Sequence, residues 1–193
     1  MDEEDENHNP TGKRVTTNDY GSADYYYVNK SSLPKVYGGF NTSLSWKGFD
    51  LSAIFAYSIG GYIYNRDITM ILHNGSLEGR AWSTEILRRW TPDNRYTDVP
   101  ALSTTSNNWN SASTRFLQNN SYMRLKNLTL SYNLPKPWVS KLALSSVQVY
   151  VQGDNLFTIH ENQGLDPEQG ITGITYYRYP AMRTISGGIN IAF

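Results

Sequence analysis

The chain has 193 residues, enough for one sizeable core, and its 17 basic residues balance 17 acidic ones. Zero net charge leaves no cationic footprint for nucleic acid, and the absence of cysteine excludes disulfides, thiolate metal sites and a cysteine nucleophile. Hydrophobic residues make up 39%, among them 15 Tyr and five Trp, whose apolar bodies and polar tips suit half-wet surfaces and membrane boundaries.

The first 34 residues are polar and turn-rich, and read as a loop with one short strand expected at Tyr25–Val28. Asp5, Asn7 and Asn9 mimic the start of a calcium loop. Pro10 occupies the position where the sharp turn needs Gly, and Thr16 the position of the closing Glu, so a solvated acidic loop is expected instead. No apolar run reaches the ~18 residues of a transmembrane helix. The start "MDEEDENHNP" has neither the basic nor the apolar region of a signal peptide. A chain destined for a place outside the cytoplasm is then expected to be a fragment of a longer one.

From Val36 the period becomes two. Val36, Gly38, Phe40, Thr42, Leu44 and Trp46 share one face, opposite Tyr37, Gly39, Asn41, Ser43 and Ser45. "KGFD" follows as a tight turn around Gly48, and Leu51, Ala53, Phe55, Tyr57, Ile59 and Ile63 then alternate with small and polar residues, broken by Ile54. Residues 65–114 lose this period. Within them, "LEGRAWSTEILRRW" predicts a short amphipathic helix with Trp82, Ile86 and Trp90 on one side, stopped by Pro92. Alternation resumes in "SYMRLKNLTLSYNLP", ended by Pro135 and Pro137, and "KPWVSKLAL" reads as a compact turn. "SVQVYVQGDNLFTI" places Val147, Val149, Val151 and Phe157 opposite Gln148, Tyr150, Gln152 and Asp154. A polar loop over 160–180 leads to the last strand, "RTISGGINIAF".

Five long strands, with short turns at 47–50 and 135–145 and long loops at 65–114 and 159–181, point to an all-β fold: part of an antiparallel transmembrane β-barrel. Val147, Val149 and Val151 are expected to face lipid, and Gln148, Gln152, Asp154, Asn127 and Ser131 the water-filled lumen. Arg124 and Lys126 are expected to share the face of Leu128 and Leu130 and to reach lipid phosphates from the outer end. Backbone groups in hydrocarbon must be paired, so five strands cannot stand alone there and the sheet must close. The final strand runs inward and sets Phe193 at the inner interface, where an aromatic girdle belongs.

"SYMRLKNLTLSYNLPKPW" (121–138), "VQVYVQGDNLFTI" (147–159), "GLDPE" (164–168) and "YPAMRTISGGINIAF" (179–193) resemble the C-terminal strands of the SusC/RagA family of TonB-linked outer-membrane transporters. "LPKVYGGFNTSLSWKGFDLSAIFAYSIGG" (33–61) is similar to the hairpin before them. The resemblance implies a barrel of the 22-stranded, plugged class, with residues 1–34 a loop and 35–193 its C-terminal segment, the plug and most of the barrel being absent. It further implies import of oligosaccharides or peptides, a SusD-like surface lipoprotein as partner and energy through TonB. It assigns Phe193, Ile191 and Ile189 to recognition by the barrel assembly machinery, in a lipid and lipopolysaccharide outer membrane of the Bacteroides type.

No catalytic or cofactor motif accompanies these segments. His8, His73 and His160 lack metal-ligand spacing, and Pro167 makes Asp166 and Glu168 a turn rather than an acid–base pair. Trp82, Trp90, Trp109, Tyr176 and Tyr177 fall in the outer loops, where they either pack the loops and contact the lid protein or stack on sugars. The competing reading is a soluble β-sandwich that binds glycans, which requires the apolar face to be covered by a second sheet.

Overall fold

The computed structural model describes residues 2–4, 6, 9–15, 17, 19–73, 77–103, 108–162, 164–168 and 171–193. Asp5, Asn7, His8 and Thr16, including most of the calcium-like stretch, lie outside the described residues. The strands in chain order are β1 (Asp2–Glu4), β2 (Pro10–Arg14), β3 (Val36–Trp46), β4 (Phe49–Ile59) and β5 (Tyr62–Asn65). They continue as β6 (Leu117–Asn119), β7 (Tyr122–Asn133), β8 (Ser146–His160), β9 (Ile174–Thr175) and β10 (Thr184–Ala192). The described residues include two short α-helices, α1 (Arg66–Ile71) and α2 (Lys136–Val139). None of the described helices is long and apolar enough to cross a membrane.

β3, β4, β7, β8 and β10 form one antiparallel sheet in the spatial order β10–β8–β7–β4–β3, so each strand lies beside its neighbour in the chain. The two-residue β3–β4 turn explains itself. Lys47 and Gly48 both take positive φ, 47° and 89°, the type I′ geometry whose twist matches the flanking strands. At the same end, Pro135 and Pro137 stop β7 and begin α2. The long connections 60–121 and 161–183 both start and finish at the opposite end. β10 runs from that end, with Thr184 opposite Asp154, down to Ala192 opposite Ser146. Phe193 is therefore carried to the short-turn end, as its position at the close of an alternating strand predicts.

One face of this sheet is apolar in rows that cross all five strands. Leu44, Leu51, Leu130, Val151 and Gly187 make one row; Trp46, Phe49, Tyr132, Val149 and Ile189 make the next. Aromatic neighbours reinforce them, with Phe40 stacked on Phe55 at 4.7 Å and Phe49 on Tyr132 at 4.5 Å between ring centres. These side chains are nonetheless uncovered: Leu44 is 68% exposed, Trp46 64% and Ile189 62%. Patches this large on a soluble monomer mark a surface that meets protein or membrane.

Two irregularities cross the sheet at one level. Ile54 and Phe55 are adjacent in β4 but oppose Asn127 and Leu125, so β7 carries an extra residue, Lys126. Leu125 and Asn127 in turn oppose Phe157 and Asp154, leaving Asn155 and Leu156 without partners in the ladder. Asn155 takes φ 52°, a left-handed conformation that Asn tolerates.

By compactness the chain divides into two units. One comprises Ser31–Ile63, Gln118–Gly173 and Arg178–Phe193 and contains the five-stranded sheet. The other comprises Met1–Lys30, Tyr64–Leu117 and Ile174–Tyr177. In this second unit β5 and β9 pair in parallel through Tyr64 and Ile174. Ile86 and Val99 form a small buried cluster, and buried Phe116 meets Tyr64 edge-on. The expected helix over 77–90 shrinks here to a 3-10 turn, Thr84–Arg88, capped by Ser83. Of its three spaced apolar residues only Ile86 is buried. α1, capped by the Asn65 side chain, falls in the stretch read as irregular. Tyr25–Val28 forms no strand, whereas β1 and β2 pair within the stretch read as loop.

Candidate functional site

The second face of the sheet is polar and internally hydrogen-bonded. Its rows are Ser43, Ser52, Thr129, Gln152 and Ser186, then Ser45, Asp50, Ser131, Tyr150 and Gly188. All five residues expected on the water side, Gln148, Gln152, Asp154, Asn127 and Ser131, share this face. Asn127 Nδ2 donates to Asp154 Oδ1 at 2.8 Å, and Gln152 Nε2 reaches the same carboxylate at 3.2 Å. Gln148 Nε2 donates to Asn133 Oδ1 at 3.1 Å, and Asn133 Nδ2 to Asp50 Oδ2 at 2.6 Å. Polar side chains that satisfy one another in this way form a wettable wall rather than a dry core.

Arg124 departs from the expectation. It lies opposite Ala56 and Thr158, on the polar face, and not with Leu128 and Leu130. The extra residue Lys126 is the cause, because alternation below it resumes one residue out of step. Arg124 is 3% exposed. Its Nε donates to Thr158 Oγ1 at 2.8 Å, its Nη1 to Glu168 at 2.8 Å and its Nη2 to Asp166 at 2.5 Å. Lys126 Nζ also reaches Glu168, at 2.8 Å. Neither cation is left for lipid phosphates. Asp166 and Glu168 are the turn their Pro167 predicts, and their carboxylates serve these cations; the Asp166 side chain is only 7% exposed.

Asp166 also fastens the connection to β10. Its Oδ2 accepts the backbone N–H of Ala181 at 2.6 Å, and its Oδ1 that of Glu168 at 2.9 Å. Burial works to raise its pKa. The Arg124 hydrogen bond, the two backbone donors and the Arg124 charge together outweigh that and hold the carboxyl below its ordinary 3.8. A value depressed by folding stabilises above the unfolded pKa, and that stabilisation is lost as pH falls through the folded one. The Ala181 amide is therefore expected to be protected from hydrogen exchange at about pH 5 and to lose protection well below pH 4. Protection that persists unchanged to about pH 2 would remove Asp166 as the fastening.

The aromatic candidates all fall in the second unit. Trp82 Nε1 donates to Nδ1 of buried His73 at 3.1 Å. Tyr176 and Tyr177 lie ring against ring at 4.1 Å, with Arg66 over Tyr176 at 4.9 Å and Arg80 Nη1 donating to the Tyr177 hydroxyl at 3.2 Å. Trp90 is half-exposed. Trp109 belongs to the 3-10 turn Asn108–Asn110, and its side chain lies outside what the structure describes. Among the described residues no group of three or more His, Asp or Glu is placed to hold a metal.

Sequence reasoning missed Arg124 as an inward cation, although a cue is present. Apolar residues stand at Met123 and Leu125, then at Leu128, Leu130 and Tyr132, and the step of three between 125 and 128 marks an inserted residue. The partners of Arg124, 42 and 44 positions away, leave no local trace.

No family model matches the chain. It is 37% identical over 167 residues to TonB-dependent receptor P3 of Formosa agariphila, covering 80% of this chain and 16% of that protein. It is 31% identical over 182 residues to receptor P26 of the same organism, covering 89% of this chain and 18% of that protein. With SusC, a TonB-dependent receptor of Bacteroides thetaiotaomicron, it shares 27% over 171 residues, 86% of this chain and 16% of SusC. The chain thus spans 16–18% of the length of these curated relatives. Among solved structures, it matches the RagAB peptide importer in its closed-closed state with a TM-score of 0.79 at 34% identity, covering 99% of this chain and 20% of that one. The open-open state matches with a TM-score of 0.79 at 35% identity over 93% and 19%.

The five-stranded sheet is a stretch of the wall of a large antiparallel transmembrane β-barrel. Receptors and importers, not enzymes, are what these relatives are named for. The chain belongs to the TonB-dependent receptors of the SusC and RagA type, which are outer-membrane proteins.

Proposed function

We propose that the chain is the C-terminal barrel segment of an outer-membrane active transporter that imports oligosaccharides or peptides. It works with a SusD-like surface lipoprotein and draws energy through TonB. Residues 35–193 contain the wall strands β3, β4, β7, β8 and β10, and residues 1–34, with the β1–β2 pair, form a loop segment before them. The plug and most of the barrel lie outside these residues, so the segment alone does not transport. The observation that carries this reading is the pairing of an uncovered apolar face with a hydrogen-bonded polar face across five strands. A sandwich requires the apolar face to be covered, and Leu44, Trp46 and Ile189 are open.

Several roles follow from it. Gln148, Gln152, Asp154, Asn127 and Ser131 line the lumen. Ile189 and Ile191, on the apolar side of edge strand β10, and Phe193, which follows it, present the barrel assembly machinery with its recognition strand and then pair toward closure. Trp82, Trp90, Trp109, Tyr176 and Tyr177 belong to loops that meet the lipoprotein or the cargo. β3 and β10, at the two margins of the sheet, require further strands before every backbone group in hydrocarbon is paired.

Purification of the chain without detergent tests the reading directly. Aggregation is expected, because the apolar rows have nothing to cover them in water. A folded, soluble monomer, shown by sedimentation and circular dichroism, would falsify the barrel-wall assignment.

A further inference from the structure

Within the sheet unit, β8 extends six residues beyond the last rung it shares with β10, from Asp154 opposite Thr184 up to His160. Residues 178–183 approach it there through side chains; Asn155 Nδ2 donates to the Met182 carbonyl at 3.2 Å. A cavity of about 470 Å³ opens beside them, walled by Arg124, Phe157, His160, Asp166, Arg178 and Arg183 among others. Its floor is electrically settled. Every nitrogen type of the Arg124 guanidinium is engaged, and Arg124 with Lys126 balances Asp166 with Glu168.

Arg178 and Arg183 are different. Both are exposed, and among the described residues neither guanidinium has an ion pair or hydrogen bond. Two exposed guanidiniums without ion pairs that line one cavity leave positive charge there for an oxyanion to neutralise. A tetrahedral phosphate can offer oxygens to two donor forks at once, which a single carboxylate does less well.

The position of the cavity says where such a phosphate would come from. Phe157 belongs to the apolar face and Arg183 precedes apolar-face Ile185 by two positions, while Arg124 and Thr158 in the same lining belong to the polar face, so the cavity lies at the edge of β8 that β10 leaves uncovered. The cavity therefore stands at the margin where the apolar rows give way to polar connections. Long cationic side chains at such a margin lay their stems on apolar surface and hold their charge in water.

We propose that Arg178 and Arg183 form a seat for a phosphate group carried by the headgroup of a membrane lipid. The seat takes over the contact that the sequence alone gives to Arg124 and Lys126. It rests on the reading of this sheet as a barrel wall.

Arginine footprinting tests it. The full-length protein that carries this segment is placed in vesicles of a phosphate-bearing lipid, in vesicles of a phosphate-free glycolipid, and in the latter with inorganic phosphate added. Phenylglyoxal modification of each arginine is then followed by mass spectrometry. In the phosphate-bearing lipid, Arg178 and Arg183 are expected to react at least about tenfold more slowly than in the phosphate-free one. Exposed Arg95, in the second unit, should react alike in all three and so controls for bulk surface charge. A double variant, Arg178→Gln with Arg183→Gln, should retain correspondingly less phosphate lipid through detergent extraction. Protection by inorganic phosphate to the same degree keeps the seat and overturns the lipid as its source. Equal reactivity in all three arms overturns the seat. An environment-sensitive dye on Val151→Cys separates this failure from the larger one, since an apolar report there leaves the barrel wall standing and an aqueous report removes it.

Discussion

Replacing Val151 with Arg is expected to destabilise the full-length membrane-embedded barrel that carries this segment by about 2–4 kcal/mol, whereas Arg at the adjacent Gln152 should change its stability by less than about 1 kcal/mol. The two positions are neighbours in β8 and point to opposite sides. Val151 sits mid-row between Leu130 and Gly187, with Leu51 and Leu44 beyond. A guanidinium there must enter hydrocarbon or drag water with it. Gln152 sits between Thr129 and Ser186, and its amide already reaches the Asp154 carboxylate, which an arginine in its place can use as a counter-ion. Urea midpoints in lipid vesicles, followed by tryptophan fluorescence, measure the difference. Equal losses at both positions would refute the assignment of faces.

The second large effect concerns Arg124. Substitution by Ala is expected to cost about 3–5 kcal/mol, because it strands a buried carboxylate at Asp166. Removing the charges together should recover most of this loss, so Arg124→Met combined with Asp166→Leu is expected to lie far closer to the parent than the single variant. Lys126→Ala provides the contrast. Its bond to Glu168 joins side chains that are 35% and 36% exposed, and water screens it to about 1 kcal/mol or less. The same urea midpoints report all three. A single Arg124 variant as mild as the Lys126 variant would show that the cluster is not holding the loop.

Much of the wall is legible in the sequence because alternation has one cause there. β3 and β4 pair without interruption, Ile54 being the one apolar residue on the polar side of β4, and Lys47–Gly48 admits only a tight reversal, so their faces and their register follow directly. β8 keeps its sides across the irregularity, and the positions of Val147, Val149, Val151 and Phe157 hold. β7 does not, and Arg124 was lost for that reason. The loops are less legible because their order comes from contacts distant in sequence. Trp82, Ile86 and Trp90 have helical spacing, yet Trp82 is drawn to His73 and Thr84–Arg88 closes into a 3-10 turn. α1 has six residues, too few for a period to declare itself. The Asp166 contacts with Arg124 and Ala181 bring together three separate stretches, and nothing in any one of them announces the others.

β7 can be regarded as two strands of opposite phase spliced at Lys126. Taking Lys126 out of that splice would restore a regular strand and keep Arg124 on the polar side and Leu125 on the apolar one, whereas taking one residue from a regular stretch would exchange the sides of all that lies beyond it. The two unladdered residues of β8 leave its sides where they were. In this wall the tolerance for insertions and deletions is a matter of parity: even changes keep the sides of the stave, and odd ones turn it inside out unless a bulge takes up the residue, as at Lys126.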